Sequence, residues 1–435
     1  MTDTVPAEAR VRACGCPEYE RSTVDRRAVL GGLAALGAGA ATVALAPRAD
    51  ATTSLTFADG TYTGDTLVVL SFRGGFDGLS AVVPVADPAY LTLRPTIGIP
   101  TSRTLQLDAR FGLHPALAPL LPWYTAKKLA FVHALGLPNP TRSHFTDMAE
   151  LERAAPGSSL RSGWLDRMVG ATDRPGTFAG TALGTASAPA SFAGPTLELA
   201  MRSVDRFTLS GAWDATEEAR WSTALRALHA GAAPQHAGPA TTALDAVATT
   251  TAMKNAGYSP AHGAVYPSGD LAASLRDVAR LVKTGVGLRA ATVDSGNWDM
   301  HEGLGRSDRG WMFDQLGQVA AALAAFMTDL GPAADRVTLV TLSEFGRRAA
   351  ENGSGGTDHG HGNVSMVLGG KVNGGRVYGT WPGLGAGQLQ QGDLAATTDF
   401  RSLLGEILER RCGLTASTVL PGLPSARLGV VRRDA

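Results

Sequence analysis

The sequence predicts an α/β fold, a three-layer sandwich in which helices cover both faces of a mostly parallel central sheet. Three observations predict it. Short, continuous apolar runs rich in Val and Leu recur along the chain, as strands buried on both faces require. Helical patterns lie between these runs, so the connections read as parallel crossovers. Clusters of Asp, Glu and His then follow the runs, where open α/β sheets collect their chemistry.

The chain begins with what reads as an export leader. Arg26 and Arg27 stand directly before an apolar stretch from Ala28 to Ala46, and nothing acidic occurs from Arg26 to Pro47. Ala49-Asp50-Ala51 then gives a small-residue cleavage pattern, so residues 1–51 are expected to form a twin-arginine signal peptide, with a mature chain from about Thr52. The stretch is long enough to span a membrane but is diluted by Gly, so no stable span is expected after cleavage. The product is then periplasmic or extracellular. Cys14 and Cys16 precede the cut and only Cys412 survives, which excludes an internal disulfide. The remaining chain, 435 less 51 or 384 residues, is ample for one large domain over residues 52–435 that rests on its own core.

Its first strand is Thr66 to Phe72, bounded by Gly64 and by Gly74-Gly75. A helical patch from Pro115 to Tyr124 and a second strand from Lys128 to His133 follow. Residues 171–265 are rich in Ala, Thr, Ser, Gly and Pro, with one clear helix from Ala215 to His229, and read as a peripheral insertion. Strands return at Leu288 to Asp294 and Arg336 to Leu342, separated by a long helix from Trp311 to Leu330. A last helix over Asp399 to Arg411 opens on Thr397-Thr398-Asp399, whose side chains suit an N-cap. Formal charge is zero, with 39 basic and 39 acidic residues; residues 1–51 carry six of each, leaving 33 and 33. That balance gives no nucleic-acid footprint.

Four segments carry candidate chemistry. Arg73-Gly74-Gly75-Phe76-Asp77-Gly78 follows the first strand; it brings Asp77 to the strand end, and it also reads as an ordinary Asp-Gly turn. In Trp298-Asp299-Met300-His301, alternate residues Asp299 and His301 project to one side of an extended segment, and a carboxylate with an imidazole suits zinc, manganese or iron. Asp358-His359-Gly360-His361 packs one carboxylate and two imidazoles into four residues. Upstream of it, Glu344 is a ligand or orienting group, and Arg347 has the fork that holds a phosphate or sulfate, and equally reads as half of an exposed salt bridge. Finally, Arg142-Ser143-His144 offers Ser143 as a nucleophile, or as a helix cap, beside Arg142 as an anion-binding group. No Gly-rich dinucleotide fingerprint follows the first strand, which argues against a nucleotide-dependent oxidoreductase.

These segments, together with Gly112-Leu113-His114-Pro115-Ala116-Leu117 and Ser343-Glu344-Phe345-Gly346-Arg347, resemble those of the family catalogued as domain of unknown function 1501. That family is similar to the alkaline phosphatase and sulfatase superfamily, and the resemblance implies an alkaline phosphatase-like fold with one or two divalent metals at the carboxyl edge of the sheet. Carried over in chain order, Asp77 matches the first-strand ligand and Ser143 the nucleophile region. Asp299 and His301 match one metal site, Asp358 and His359 the Asp-His pair of the other, and His361 a nearby second histidine. There is no C-x-P-x-R context, and the Asp299 to His301 spacing is shorter than in phosphatases. The resulting expectation is an exported hydrolase of phosphate or sulfate esters that takes a small anionic substrate and uses a divalent metal, zinc or manganese. The rival is a non-catalytic binding or assembly protein that keeps the fold.

Overall fold

The computed structural model describes residues 64–173 and 175–433. The expected leader, with Arg26-Arg27, its cleavage near Ala51 and Cys14 and Cys16, lies outside the described residues. The apolar runs do become strands: β1 (Thr66–Phe72), β2 (Leu129–Gly136), β5 (Ala290–Ser295) and β6 (Val337–Leu342), joined by β3 (Gly180–Leu183), β4 (Leu199–Met201), β7 (Asn363–Gly369), β8 (Val377–Tyr378) and β9 (Thr398–Asp399). They form one nine-stranded sheet in the order β8-β2-β7-β6-β1-β5-β3-β4, with β9 also on β2. Every pairing is parallel except those of β7, which runs antiparallel to both β2 and β6. β1 and β2 point the same way, as the strand-helix-strand pattern predicts, but two strands lie between them.

The sheet is covered on both faces. Val68, Leu70 and Phe72 of β1 join a core shared with helices α5 (Asp270–Thr284) and α6 (Trp311–Leu330), whereas Leu67 and Val69 face α2 (Trp164–Gly170) and α7 (Phe400–Arg410). Alternation along a strand therefore explains why the β1 run is apolar throughout: each face buries every second side chain. α6 occupies the expected residues, and α7 begins after Asp399, whose carboxylate accepts from the Arg401 N–H. The segment 171–265 differs from expectation. Helix α3 (Ala215–His229) is where the sequence puts it and buries none of its residues, but β3 and β4 extend the sheet and a second helix, α4 (Pro234–Ala256), follows. Among the described residues, no helix is long and apolar enough to cross a membrane.

Two histidines are built into this core as neutral groups. In β2, His133 Nε2 lies 3.0 Å from the Val82 carbonyl and donates to it, while Nδ1 accepts from the Ala134 N–H at 3.0 Å. The ring also packs between Phe111 and Trp381. Burial pushes His133, and likewise His114, down to about 4. With the folded pKa below the ordinary one, the unfolded chain takes up protons first as pH falls. This stability is therefore full above about pH 6.5 and is lost on the way to about pH 4, on the order of 3 kcal/mol for each ring. The urea midpoint of chelator-treated protein should drop across that window, and His133→Gln should flatten the drop; a midpoint that stays level from pH 7 to 4 would contradict this account.

Candidate metal centre

The centre lies beyond the carboxyl ends of β1, β5 and β6, with helix α1 (His144–Arg153) closing it from the β2 side. Behind it, Phe72, Phe76 and Trp298 pack with ring centroids 4.7 to 4.9 Å apart. That cluster fixes the start of the loop after β5. Arg142 and Asn297 hold left-handed backbone, φ 63° and 64°, just before His144 and Asp299, so the chain turns sharply into each. Glycine is required at Gly74, where φ is 119° and a Cβ would come within 2.7 Å of the Asp299 backbone nitrogen.

Four side chains converge. His144 Nε2 lies 3.0 Å from His359 Nε2, which is 3.1 Å from His301 Nε2. Asp299 Oδ1 is 3.0 Å from His301 Nε2 and 3.1 Å from His359 Nε2, and its Oδ2 is 3.5 Å from His144 Nε2. The far nitrogens determine what these four present. His144 Nδ1 meets the Glu344 carboxylate at 2.8 Å, His301 Nδ1 meets Asp358 at 2.9 Å, and His359 Nδ1 meets the Arg142 carbonyl at 2.9 Å. Each partner accepts only, so each Nδ1 carries a proton, and in the neutral ring each Nε2 is then a bare lone pair. In that tautomer the lone pairs of His144 and His359 and the Asp299 carboxylate lie within 4.8 Å of one another, and His301 adds a third lone pair beside His359 and Asp299. A cation is the group this donor set fits, and three imidazoles with one carboxylate suit a transition metal.

The surroundings hold these ligands in place. Glu344 is buried, accepts from the Gly74 N–H at 2.8 Å and takes the Ser343 hydroxyl at 3.1 Å on its other oxygen. Asn352 donates to both Asp358 and the His301 carbonyl. Phe345 packs against the rings of His144 and His359. Burial raises the Asp299 carboxyl pKa, but the hydrogen bond and charge of Arg347 outweigh it and hold the group below its ordinary value. Hydrogen bonds from His301 and Asn352 hold Asp358 low in the same way.

Residues 114–419 match the family described as protein of unknown function (DUF1501). The chain belongs to that family. No curated protein matches it significantly.

Of the residues singled out in this DUF1501 chain, Asp299, His301 and His359 meet at the centre, and Glu344 and Asp358 orient its imidazoles. The others are not brought there as ligands. Asp77 spends both oxygens on buried Arg94, at 2.6 and 2.9 Å; burial raises its pKa, and Arg94 more than reverses that. His361 is buried with Nδ1 on Gln390 and Nε2 on the Leu137 carbonyl, leaving no lone pair for the centre. The Ser143 hydroxyl caps α1, and the Arg142 guanidinium is paired with Asp393. Arg347 does touch Asp299, at 2.6 Å, but it is buried and its remaining donors go to the carbonyls of Gly74, Gly75, Trp298 and Thr357, so no fork is left for an anion. The ligand missed by sequence reasoning is His144. Its signal is the imidazole that directly follows Ser143 in Arg142-Ser143-His144. Because Asp77 is half of a buried ion pair, Asp77→Asn should lower unfolding free energy by about 3 kcal/mol while the folded variant matches the wild type in metal content, measured by urea titration and elemental analysis. Loss of metal from folded Asp77→Asn would return Asp77 to the ligand set.

Proposed function

We propose that this chain is an exported, metal-dependent hydrolase of phosphate or sulfate esters, built on an alkaline phosphatase-like fold, with one transition metal held by His144, Asp299, His301 and His359. The observation that carries the catalytic reading is exposure. The four ligand side chains are 25 to 46 % exposed, whereas a structural site buries and closes its ligands. An open face leaves room for water and a substrate oxygen. A bound divalent metal, zinc or manganese by its donors, supplies Lewis acidity and brings a water pKa towards neutrality. Asp299 is kept ionised by Arg347, and Glu344 and Asp358 take the Nδ1–H groups of His144 and His301, which orients each Nε2 towards the metal and makes it a stronger donor. With the Ser143 hydroxyl on the helix cap, water is the proposed nucleophile.

The ester class rests on the resemblance to the phosphatase and sulfatase superfamily and on the position of the ligands at the carboxyl edge of the sheet. One observation favours the rival, a binding or assembly protein: the guanidiniums of Arg142 and Arg347 are both spent on internal partners, so neither is available to hold a transferring oxyanion.

Protein purified from its export route should contain roughly one equivalent of transition metal, as a single four-ligand set allows. His144→Ala and His359→Ala should lose it, and Glu344→Gln should bind it about 10- to 100-fold more weakly. Hydrolysis of aryl phosphates or sulfates should vanish with the metal and return on its addition. A metal-replete protein inert towards both ester classes would leave the binding reading standing; a stable, metal-free wild type would sink both forms of the metal centre. Export is tested separately. Replacing Arg26 and Arg27 with Lys should hold the full-length chain in the cytoplasm, and N-terminal sequencing of exported protein should start at about Thr52; unchanged export of the Lys variant would refute the twin-arginine route.

A further inference from the structure

A second polar site lies on the same edge of the sheet. β3 and β4 run parallel to β5 and sit one and two strands beyond it, so their carboxyl ends are about 5 and 10 Å along the edge from that of β5. At those ends a cavity of about 390 Å3 is lined by Gly184, Thr185, Arg202, Arg206, Asp270 and Ser274, among others. Helix α5 starts there and returns the chain to β5, so its N-terminus, the positive end of its dipole, faces the cavity; its N-cap is Gly269 and no side chain caps it. Arg202 and Arg206 are exposed, and among the described residues neither guanidinium has a carboxylate or carbonyl partner. Ser274 points independently to a ligand. It is 5 % exposed, its hydroxyl has no hydrogen-bond partner among the described residues, and it stands over Gly184, where a Cβ would approach the hydroxyl to 2.6 Å. The side chain is buried but lines the cavity, so its hydroxyl takes its partner from the cavity side. Asp270 offsets one of the two arginine charges, and the helix end adds to the remainder.

We propose that Arg202, Arg206, Ser274 and the N-terminus of α5 form a binding site for a phosphate or sulfate group, separate from the metal centre. Two guanidinium forks and backbone N–H groups are the donors a tetrahedral oxyanion takes, and the Ser274 hydroxyl completes the set from below. The site does not depend on the metal reading. A group bound there is free in solution or is carried on a larger molecule that lies along the sheet edge.

Isothermal titration of the full chain with sodium phosphate and sodium sulfate tests it. Saturable binding is expected, weakened about tenfold or more in Arg202→Ala/Arg206→Ala, weakened in Ser274→Ala, and retained in His359→Ala. Equal affinity for inorganic phosphate and phosphoserine would identify a free ion, and tighter phosphoserine binding a carried group. Because both arginines are exposed, the double variant should keep the wild-type circular dichroism spectrum. Non-saturable heats, binding unchanged in the double variant, or binding abolished in His359→Ala would overturn the proposal, the last by placing the anion at the metal centre.

Discussion

The buried guanidinium of Arg347 is the interaction on which the rest of the centre depends. A charge taken out of water is costly unless every donor is met, and here the partners come from three separate loops: the carbonyls of Gly74 and Gly75 after β1, Trp298 and Asp299 after β5, and Thr357 beyond β6. The demands of one side chain thus fix the relative positions of loops more than 270 residues apart in sequence, Gly75 and Arg347 being separated by 272. Glycine at 74 and 75 follows from the same demand. At Gly75 a Cβ would come within 2.5 Å of the Phe345 ring and 3.2 Å of Arg347 Nε. The Arg-Gly-Gly-Phe sequence after the first strand is therefore a receptor for Arg347 as much as it is a turn.

This arrangement explains why much of the fold was legible and part of the site was not. β1 and β6 are dense in Val, Leu and Thr, and β5 opens on an Ala-Ala-Thr-Val run, because both faces of these strands are buried; their other polar residues, Ser71, Asp294 and Ser295, fall at the carboxyl ends. β7, Asn363–Gly369, carries Asn and Ser inside the sheet, and its Ser365 hydroxyl is satisfied by the Thr341 carbonyl of β6, a partner that no local pattern reveals. β3 and β4 are too short and too rich in Ala and Gly to show any periodicity. Asp299 and His301 were legible because alternate residues of an extended segment share a side, and His359 because imidazoles and a carboxylate crowd its loop.

Ion pairs and caps, by contrast, depend on residues that meet only in three dimensions. Asp77 looks like a ligand until Arg94 arrives from 17 residues away, and Arg347 looks like an anion fork until backbone carbonyls consume it. His144 and His361 show the same limit from opposite sides. The sequence presents both as imidazoles near other polar groups. What separates them is the partner of the far nitrogen: Glu344 turns the free lone pair of His144 inward, while His361 has acceptors on both nitrogens and none to spare.

Charge gives an independent reason for the proposed ion to be divalent. In direct contact with the three imidazoles or with one another stand three carboxylates, Asp299, Glu344 and Asp358, and one guanidinium, Arg347, a formal sum of minus two with neutral rings. Like charges at this range repel by amounts that grow as water is excluded, and Glu344 is 2 % exposed. A monovalent cation would leave half of the deficit, and a proton would engage only one of the lone pairs. A divalent cation balances the sum and uses all three lone pairs. The resulting neutral centre would then bind an ester through the metal's open position rather than through excess positive charge, consistent with the absence, among the described residues at its rim, of an uncommitted arginine.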